Sequence, residues 1–527
     1  MSVFDSRMQR RHVLALMGST VLYAGVSRAP VFAQEDTRPT LVVAVADLPT
    51  GLEPVRNMGN PGTRITYSVF DTLIRRDFLS APGGAGAKLV PSLATEWKRN
   101  SPSELIVTLR QGVKFHNGDE LTADDVAFTF SEERMWGEKP MIPDAKNYFG
   151  VLSAVEAVDK YTVRFQTRVP DVLLEQRLAS WASWIVNKRA YQELGIDQFA
   201  LHAVGTGPYK MRSYTADSAI VLDAFDDYWM GKPTAKSVEF REVPEVATRV
   251  AGLISNEFDI ITNLPPEQIE TLSSYDNIEA RSVVLANAHL LTYNMQDPVM
   301  ADKRIRQALN LAIDRQTLVD SIWEGQAVVP PGHNFPEYGD MFIAEGHEMR
   351  FDPEKAKQLL AEAGYAGQPI VYRTLPNYYT GAMAAAEILI EMWKAVGINA
   401  QLQVVENFDQ MADGMQIGNT SNSIRIPDPL GSLWVSWGPN ASPQVSKQWL
   451  PESAAKFNEA GRKLEGETDP AKRKALFETM LTEFETEAPA TILYQPLESY
   501  GVKKNIKWQP YTFYYMDLRP YNLQFTA

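Results

Sequence analysis

The sequence predicts an α/β protein, with mixed β-sheets flanked by helices and the chain divided over about three domains or lobes. Three observations carry this. Strand-like and helix-like stretches alternate along most of the chain, the pattern of sheets covered by helices. The chain has 527 residues, more than one hydrophobic core serves at about 150 residues per domain. Its composition, 45% hydrophobic and 22% charged, is that of a globular protein and not of a disordered one.

Taken in order, residues 1–33 read as an export segment. Arg7, Arg10 and Arg11 form a positive start, and Val13 to Val26 is an apolar run diluted by Gly18, Ser19, Thr20 and Gly25. Val31-Phe32-Ala33 supplies the small residues that precede a signal-peptidase cut before Gln34. The Arg10-Arg11 pair and Arg28 resemble a twin-arginine signal, whereas His12-Val13-Leu14 replaces its usual x-Phe-Leu, so the twin-arginine and Sec routes both stay open. An apolar run of this length falls short of the ~20 residues that span a bilayer. With zero cysteine there is no residue to carry a lipid at a new N-terminus. A soluble protein of a Gram-negative periplasm is expected.

Thr40 to Ala46 is a continuous β-branched run and reads as a buried strand. Glu104 to Leu109 and Lys114-Phe115 read as strands. Thr122 caps a helix, with Asp125 completing a capping box. Val151–Val158 and Tyr161–Gln166 flank Asp159-Lys160 as a hairpin. Arg304 to Trp323 places Ile305, Ala308, Leu309, Ala312 and Ile313 on one helical face. Asp352-Pro353 starts a helix that Gly364 ends. Pro369–Thr374 is a strand, Met383–Val396 a helix ending at Gly397, and Asn399–Val405 a strand. Asp469-Pro470 starts a last helix that ends near Pro489.

Much chemistry is excluded. With 51 Lys and Arg against 65 Asp and Glu, the net charge is −14, a poor match to nucleic acid or anionic lipid. Without cysteine there are no disulfides, thiolate nucleophiles, Cys-ligated zinc or iron–sulfur clusters. The six histidines, His12, His116, His202, His289, His333 and His347, show no metal spacing and no HExxH. There is no P-loop and no GxSxG elbow. No carboxylate pair stands out as a glycosidase pair. No cofactor and no metal are expected, and the enzyme reading has no positive residue-level support.

The stretch Leu89–Phe130, LVPSLATEWKRNSPSELIVTLRQGVKFHNGDELTADDVAFTF, resembles the signature of family 5 extracellular solute-binding proteins, the peptide/nickel-type receptors of ABC importers. Val204–Tyr209 (VGTGPY), Leu291–Gln296 (LTYNMQ) and Asp302–Ile322 (DKRIRQALNLAIDRQTLVDSI) follow in the family's order, as does Asp352–Gly364 with its strand and helix. The resemblance covers nearly all of the chain after residue 33. It implies a two-lobed periplasmic binding protein, a type II Venus flytrap with an extra subdomain. One lobe would take residues 34–67, 203–284 and 496–527, with the subdomain at 68–202 inserted in it, and the other lobe 285–495. Two chain crossings near those limits would serve as a hinge. The implied partners are a small-molecule or peptide ligand and an inner-membrane ABC permease with two cytoplasmic ATPase subunits. The protein would be a monomer with no nucleic acid and no membrane insertion. Within the matching blocks, Trp97, Leu105, Val107, Leu109 and Phe115 read as core, and Gly205-Thr206-Gly207-Pro208 as a rigid turn, since Pro208 lacks an N–H and no Lys follows.

Gln416 to Asn440, QIGNTSNSIRIPDPLGSLWVSWGPN, carries the ligand-site candidates: Asn419, Asn422, Arg425, Asp428, Trp434 and Trp437. In the family this segment faces the cleft, and an acidic residue there typically pairs with a peptide amine. Asp428-Pro429 matches the family's Asp-Pro element. Arg425 is the anion binder on chemistry alone, because its planar fork suits a carboxylate. The Asn-Thr-Ser-Asn-Ser run departs from the family's Gly-Trp pattern, and two tryptophans beside neutral polar groups suit a sugar, an opine or a glutathione-like solute as well as a peptide. Asp428 also reads as a turn cap, and Trp434 and Trp437 as lobe core. Tyr378 and Tyr379 lie at a strand's C-terminal end, where α/β lobes bind ligands, and Asp47–Glu53 would be the other lobe's contribution.

Overall fold

A computed structural model describes residues 36–526 apart from Asn377 and Asp413; the export segment 1–33 and its cut before Gln34 lie outside the described residues. One compact body runs from Arg38 onward.

Three sheets organise it. The buried run Thr40–Val45 is central to a seven-stranded sheet, parallel to both Ser237–Glu242 and Ile260–Ile261. The order across that sheet is Ile278–Val284, Leu497–Lys503, Ile260–Ile261, Thr40–Val45, Ser237–Glu242, Ala219–Ala224, Tyr209–Thr215. A five-stranded sheet has the order Ala400–Val404, Ile370–Thr374, Ile417–Ser423, Asn287–Tyr293, Ala490–Tyr494. A four-stranded antiparallel sheet, Ala94–Ser101, Glu104–Leu109, Thr162–Thr167 and Leu152–Asp159, contains the hairpin read from sequence. Lys114 makes only an isolated bridge to Glu120, not a strand.

The helix signals act as expected. Asp125 accepts the Thr122 N–H at 3.0 Å. Asp352 accepts the Lys355 N–H at 2.9 Å, and Gly364 takes φ +70° after that helix. The reading of Arg304–Trp323 as one helix needs correction. Asp314 accepts the Thr317 N–H at 3.2 Å and starts a second helix, Arg315–Trp323, after Lys303–Leu311. Such a cap competes with continuation.

The motif Gly205-Thr206-Gly207 is held by close packing. A Cβ on Gly205 would lie 2.2 Å from the Val69 carbonyl oxygen, and one on Gly207 2.6 Å from the Val69 carbonyl carbon. Any side chain there would push the two segments apart.

The chain passes between the seven- and five-stranded sheets twice, after Val284 and after Tyr494. The passages are bonded together: the Leu285 N–H donates to the Pro496 carbonyl at 2.9 Å, and Gln495 Nε2 donates to the Leu285 carbonyl at 3.2 Å. The C-terminal stretch packs back against the segment around residue 71, where buried Arg519 pairs with Asp71 at 2.6 Å and Asp517 at 3.0 Å. It also donates to the carbonyls of Tyr67 and Phe70. Among the described residues no helix is long and apolar enough to cross a membrane.

Candidate functional site: a cleft between two sheets

A cavity of about 820 Å³ lies where the ends of the two large sheets face each other. Asp47, Asn60, Arg64, Arg249 and Asn263 line one wall; His289, Trp323, Tyr378, Tyr379 and Glu406 line the other; Glu498 and Tyr514 close it beside the crossings.

The first wall is built on the ends of Thr40–Val45 and Leu497–Lys503. Arg64 projects from the helix Asn60–Val69 and meets Glu498 at 3.1 Å, both nearly fully buried. Asn263 donates its backbone N–H to Glu498 Oε1 at 3.1 Å and its side-chain amide to Oε2 at 3.3 Å. Burial pushes the Glu498 carboxyl up, against the pull of Arg64. Arg249 spends its guanidinium on the carbonyls of Thr262, Val243, Pro244 and Asn263. Its pKa is pulled down to about 10 by desolvation. Asp47, just past the first strand, opens on the cavity and makes no hydrogen bond or ion pair with any described residue. Asp47 itself stands exposed; the desolvation it does meet pushes its carboxyl up, opposed by Arg64 and Arg249.

The second wall is uncharged apart from Glu406. His289 sits in the wholly buried strand Asn287–Tyr293, its ring stacked on Tyr379 at 3.5 Å. It is 2% exposed, and burial pulls its pKa down to about 3, so it is a neutral imidazole. Its Nδ1 has no hydrogen-bond partner among the described residues, and neither do the side-chain amides of Asn287 and Asn422. Buried polar atoms are normally paired; the open His289 nitrogen belongs to a residue of the cavity lining, whereas Asn422, opposite Ala288, lies on the other face of the sheet from Asn287 and His289. Tyr378, two residues past a turn that follows Ile370–Thr374, shares a hydrogen bond with Ser421 at 3.0 Å.

The sequence candidates divide accordingly. Tyr378 and Tyr379 line the cavity, and so does Asp47. Asn422 is 1% exposed, with both ends of its amide open. Arg425 lies over the rings of Trp181 and Tyr148, 4.7 and 5.3 Å from their centroids, with Nε and Nη1 buried and unpaired. Its backbone carbonyl accepts the Ser180 hydroxyl at 2.5 Å. Asp428 is turned away from the cavity. Its Oδ1 caps the Leu430 N–H at 2.9 Å and its Oδ2 meets Arg473 at 2.8 Å, an interior pair formed with the helix Pro470–Glu487. Trp434 and Trp437 are core. Trp434 donates to Glu465 at 2.8 Å and covers Gly461, while Trp437 packs on Phe484 and Trp449. Both stand on the five-residue helix Leu433–Trp437, which turns them inward. Sequence reasoning missed Arg64, Glu498, Arg249 and His289. For His289 a signal existed: a His and an Asn inside an otherwise apolar strand are unusual in a core.

No group of three or more His, Asp or Glu able to hold a metal occurs among the described residues. The walls hold hydrogen-bonding and charged groups.

The comparisons agree with this geometry. The family model "Bacterial extracellular solute-binding proteins, family 5 Middle" matches residues 88–444. The dipeptide-binding protein of Escherichia coli is 28% identical over 423 residues, covering 75% of this chain and 77% of that protein. The periplasmic binding protein DppA of Helicobacter pylori, solved with the peptide STSA, superposes with a TM-score of 0.80 at 23% identity over 93% of this chain and 98% of that one. AgaA of A. tumefaciens, solved with agropinic acid, gives 0.79 at 23% over 93% and 99%. Those structures share the two-lobed fold of type II periplasmic binding proteins. With its cavity between two sheets and a family match over more than half its length, the chain belongs to the family 5 bacterial extracellular solute-binding proteins.

Proposed function

We propose that this protein is the exported receptor of an ABC importer that captures a peptide or peptide-like solute between its lobes. It hands the solute, chemically unchanged, to an inner-membrane permease driven by two cytoplasmic ATPase subunits. The observation that carries this reading is the 820 Å³ cavity, shared by two sheets that only two adjacent chain passages join. Cavities of about 300–1,000 Å³ suit small solutes, and two adjacent antiparallel passages suit a hinge. On this reading residues 285–495 form the moving lobe and 68–202 the subdomain inserted in the other. The receptor works as a monomer in the periplasm, starting at Gln34, and is not an enzyme.

The open Nε and Nη1 of Arg425 favour a ligand with an acidic end. Arg425 is half-buried over Trp181 and Tyr148 and borders two small voids of about 20 and 10 Å³, not the 820 Å³ cavity, so a carboxylate that satisfies its open nitrogens has to enter on that side of the second sheet. A peptide offers one, and so does an opine such as the agropinic acid of the AgaA complex.

The test is to purify the protein from its periplasm, denature it, and identify released solutes by mass spectrometry. Adding a recovered solute back should raise the thermal midpoint and shrink the particle in X-ray scattering. A solute that binds tightly yet leaves the scattering curve unchanged would refute closure. Turnover of the solute would refute the receptor reading.

A further inference from the structure

We propose that His289 sets which side groups the receptor accepts: its imidazole bonds an uncharged group of the ligand that both donates and accepts a hydrogen bond, a carboxamide or a hydroxyl. This rests on the peptide-like reading above and adds the chemistry of one ligand substituent.

His289 lines the cavity, yet the residue is only 2% exposed. It stands at the cleft end of the five-stranded sheet, opposite Ser421 on one neighbouring strand and Tyr494 on the other. Residues opposed in this way share a face. Ser421 is taken by Tyr378. The imidazole lies against the Tyr379 ring with 24° between the planes, and the Tyr494 ring centroid is 5.4 Å away. These contacts hold the ring by its faces and bond nothing at its edge: the ring makes no hydrogen bond among the described residues. Stacking alone would be met by a phenylalanine. A buried nitrogen without a partner costs stability, and a guest in the cavity can supply the missing bond.

The surroundings decide what kind of guest group that is. The imidazole is neutral, because burial opposes its protonation. A neutral imidazole has one N–H and one bare nitrogen, and the choice of tautomer lets it donate or accept at a given edge. Two residues back on the same face, Asn287 carries an amide with both ends open, again a neutral donor and acceptor. The wall's one charged residue, Glu406, stands exposed at the margin. A carboxylate or an ammonium brought against the ring is therefore desolvated with no opposite charge to meet it. An alkyl group fills the space and leaves the nitrogen orphaned. A carboxamide or a hydroxyl avoids both losses, because it pairs with either tautomer and carries no charge.

The experiment uses the full exported protein and the tripeptides X-Ala-Ala, Ala-X-Ala and Ala-Ala-X. X is Gln, Glu, Lys or Met, side chains of similar length, or one of the isosteric pair Thr and Val. Affinity is read by calorimetry for wild type, His289→Phe and His289→Gln. At one position of X, wild type should bind the Gln member about tenfold or more tighter than the Glu, Lys and Met members, and Thr tighter than Val. His289→Phe should bring Gln to within about twofold of Met. Its unliganded thermal midpoint should not fall, since no internal hydrogen bond is lost. His289→Gln should keep the preference for Gln over Met, a rescue that a purely structural role would not give. Peptide binding by wild type with no preference for Gln or Thr at any position would overturn the proposal and leave the receptor reading in place. So would a His289→Phe variant that keeps the wild-type preference. If no member binds wild type, the peptide-like reading falls first, and this assignment with it.

Discussion

Replacing Asp428 by Asn separates a ligand anchor from an interior pair. The Asp428–Arg473 contact is 2.8 Å long, with side chains 7% and 6% exposed. Asn keeps the Leu430 cap, since Asn and Asp cap equally well, so the change removes only the charged contact. Breaking a buried pair from one side costs about 3–5 kcal/mol, because the surviving charge is left without compensation. Arg473 retains the carbonyls of Leu464 and Glu467 at 3.2 Å each, which places the loss at the low end, about 3 kcal/mol. Unfolding entropy near 2.1 cal/mol/K per residue amounts to about 1 kcal/mol/K over 527 residues. The thermal midpoint should therefore fall by about 3 °C, read by calorimetry on the unliganded protein. Ligand affinity, measured well below that midpoint, should stay within about twofold of wild type, given that no ligand group is lost. The double variant Asp428→Asn with Arg473→Met should lose less than the two single losses added, the mark of a direct pair. A hundredfold loss of affinity with an unchanged midpoint would refute this assignment and put Asp428 back in the ligand site.

Other outcomes follow from the same geometry. Arg425→Gln should weaken binding of an acid-ended solute by a hundredfold or so on the ~2–5 kcal/mol scale of an orphaned charge, and leave a neutral or amidated analogue unaffected by calorimetry. Burial holds His333 at a pKa of about 3, whereas an unfolded His titrates near 6.5. As pH falls from about 6.5 toward 3, the unfolded state gains a proton the folded one refuses, and stability drops by about 1.4 kcal/mol per pH unit. His333→Gln should remove that slope from urea unfolding measured at pH 4, 5 and 6. Lys at both Arg10 and Arg11 should block export if the twin-arginine route is used; periplasmic recovery of that variant would assign the Sec route instead.

The parts of the fold that local chemistry dictates were legible. The β-branched run at Thr40 is a central strand, and the Asp-Pro caps at 352 and 469 start helices where they stand. The one misread helix failed for a local reason too: Asp314 is a cap inside an unbroken apolar stripe, and the cap prevails over the periodicity. The site was legible only where position along an element betrays it. Tyr378 and Asp47 follow strands whose ends meet at the cleft, and the end-of-strand rule finds both. The Arg64–Glu498 pair joins residues 434 apart, and no window along the chain relates them. Asp428 shows the converse. Its sequence neighbourhood resembles a binding loop, yet a helix 45 residues on supplies the partner that removes it from the cleft.

The return of the chain's last segment to the seven-stranded sheet has a consequence for how the protein is made. Leu497–Lys503 fills the gap between Ile278–Val284 and Ile260–Ile261, and Arg519 locks onto Asp71 across 448 residues of sequence. Until the ribosome has released that segment, one sheet lacks an interior strand and Asp71 lacks its cation. Contacts of such long range close slowly. A chain threaded unfolded through a membrane, N-terminus first, thus emerges with a half-built lobe that only its tail completes. An interrupted chain exposes the bare edges of two strands to proteases, while a finished one buries them. Completion of the chain and completion of the seven-stranded sheet therefore coincide, and a truncated chain is left with the edges of Ile260–Ile261 and Ile278–Val284 open.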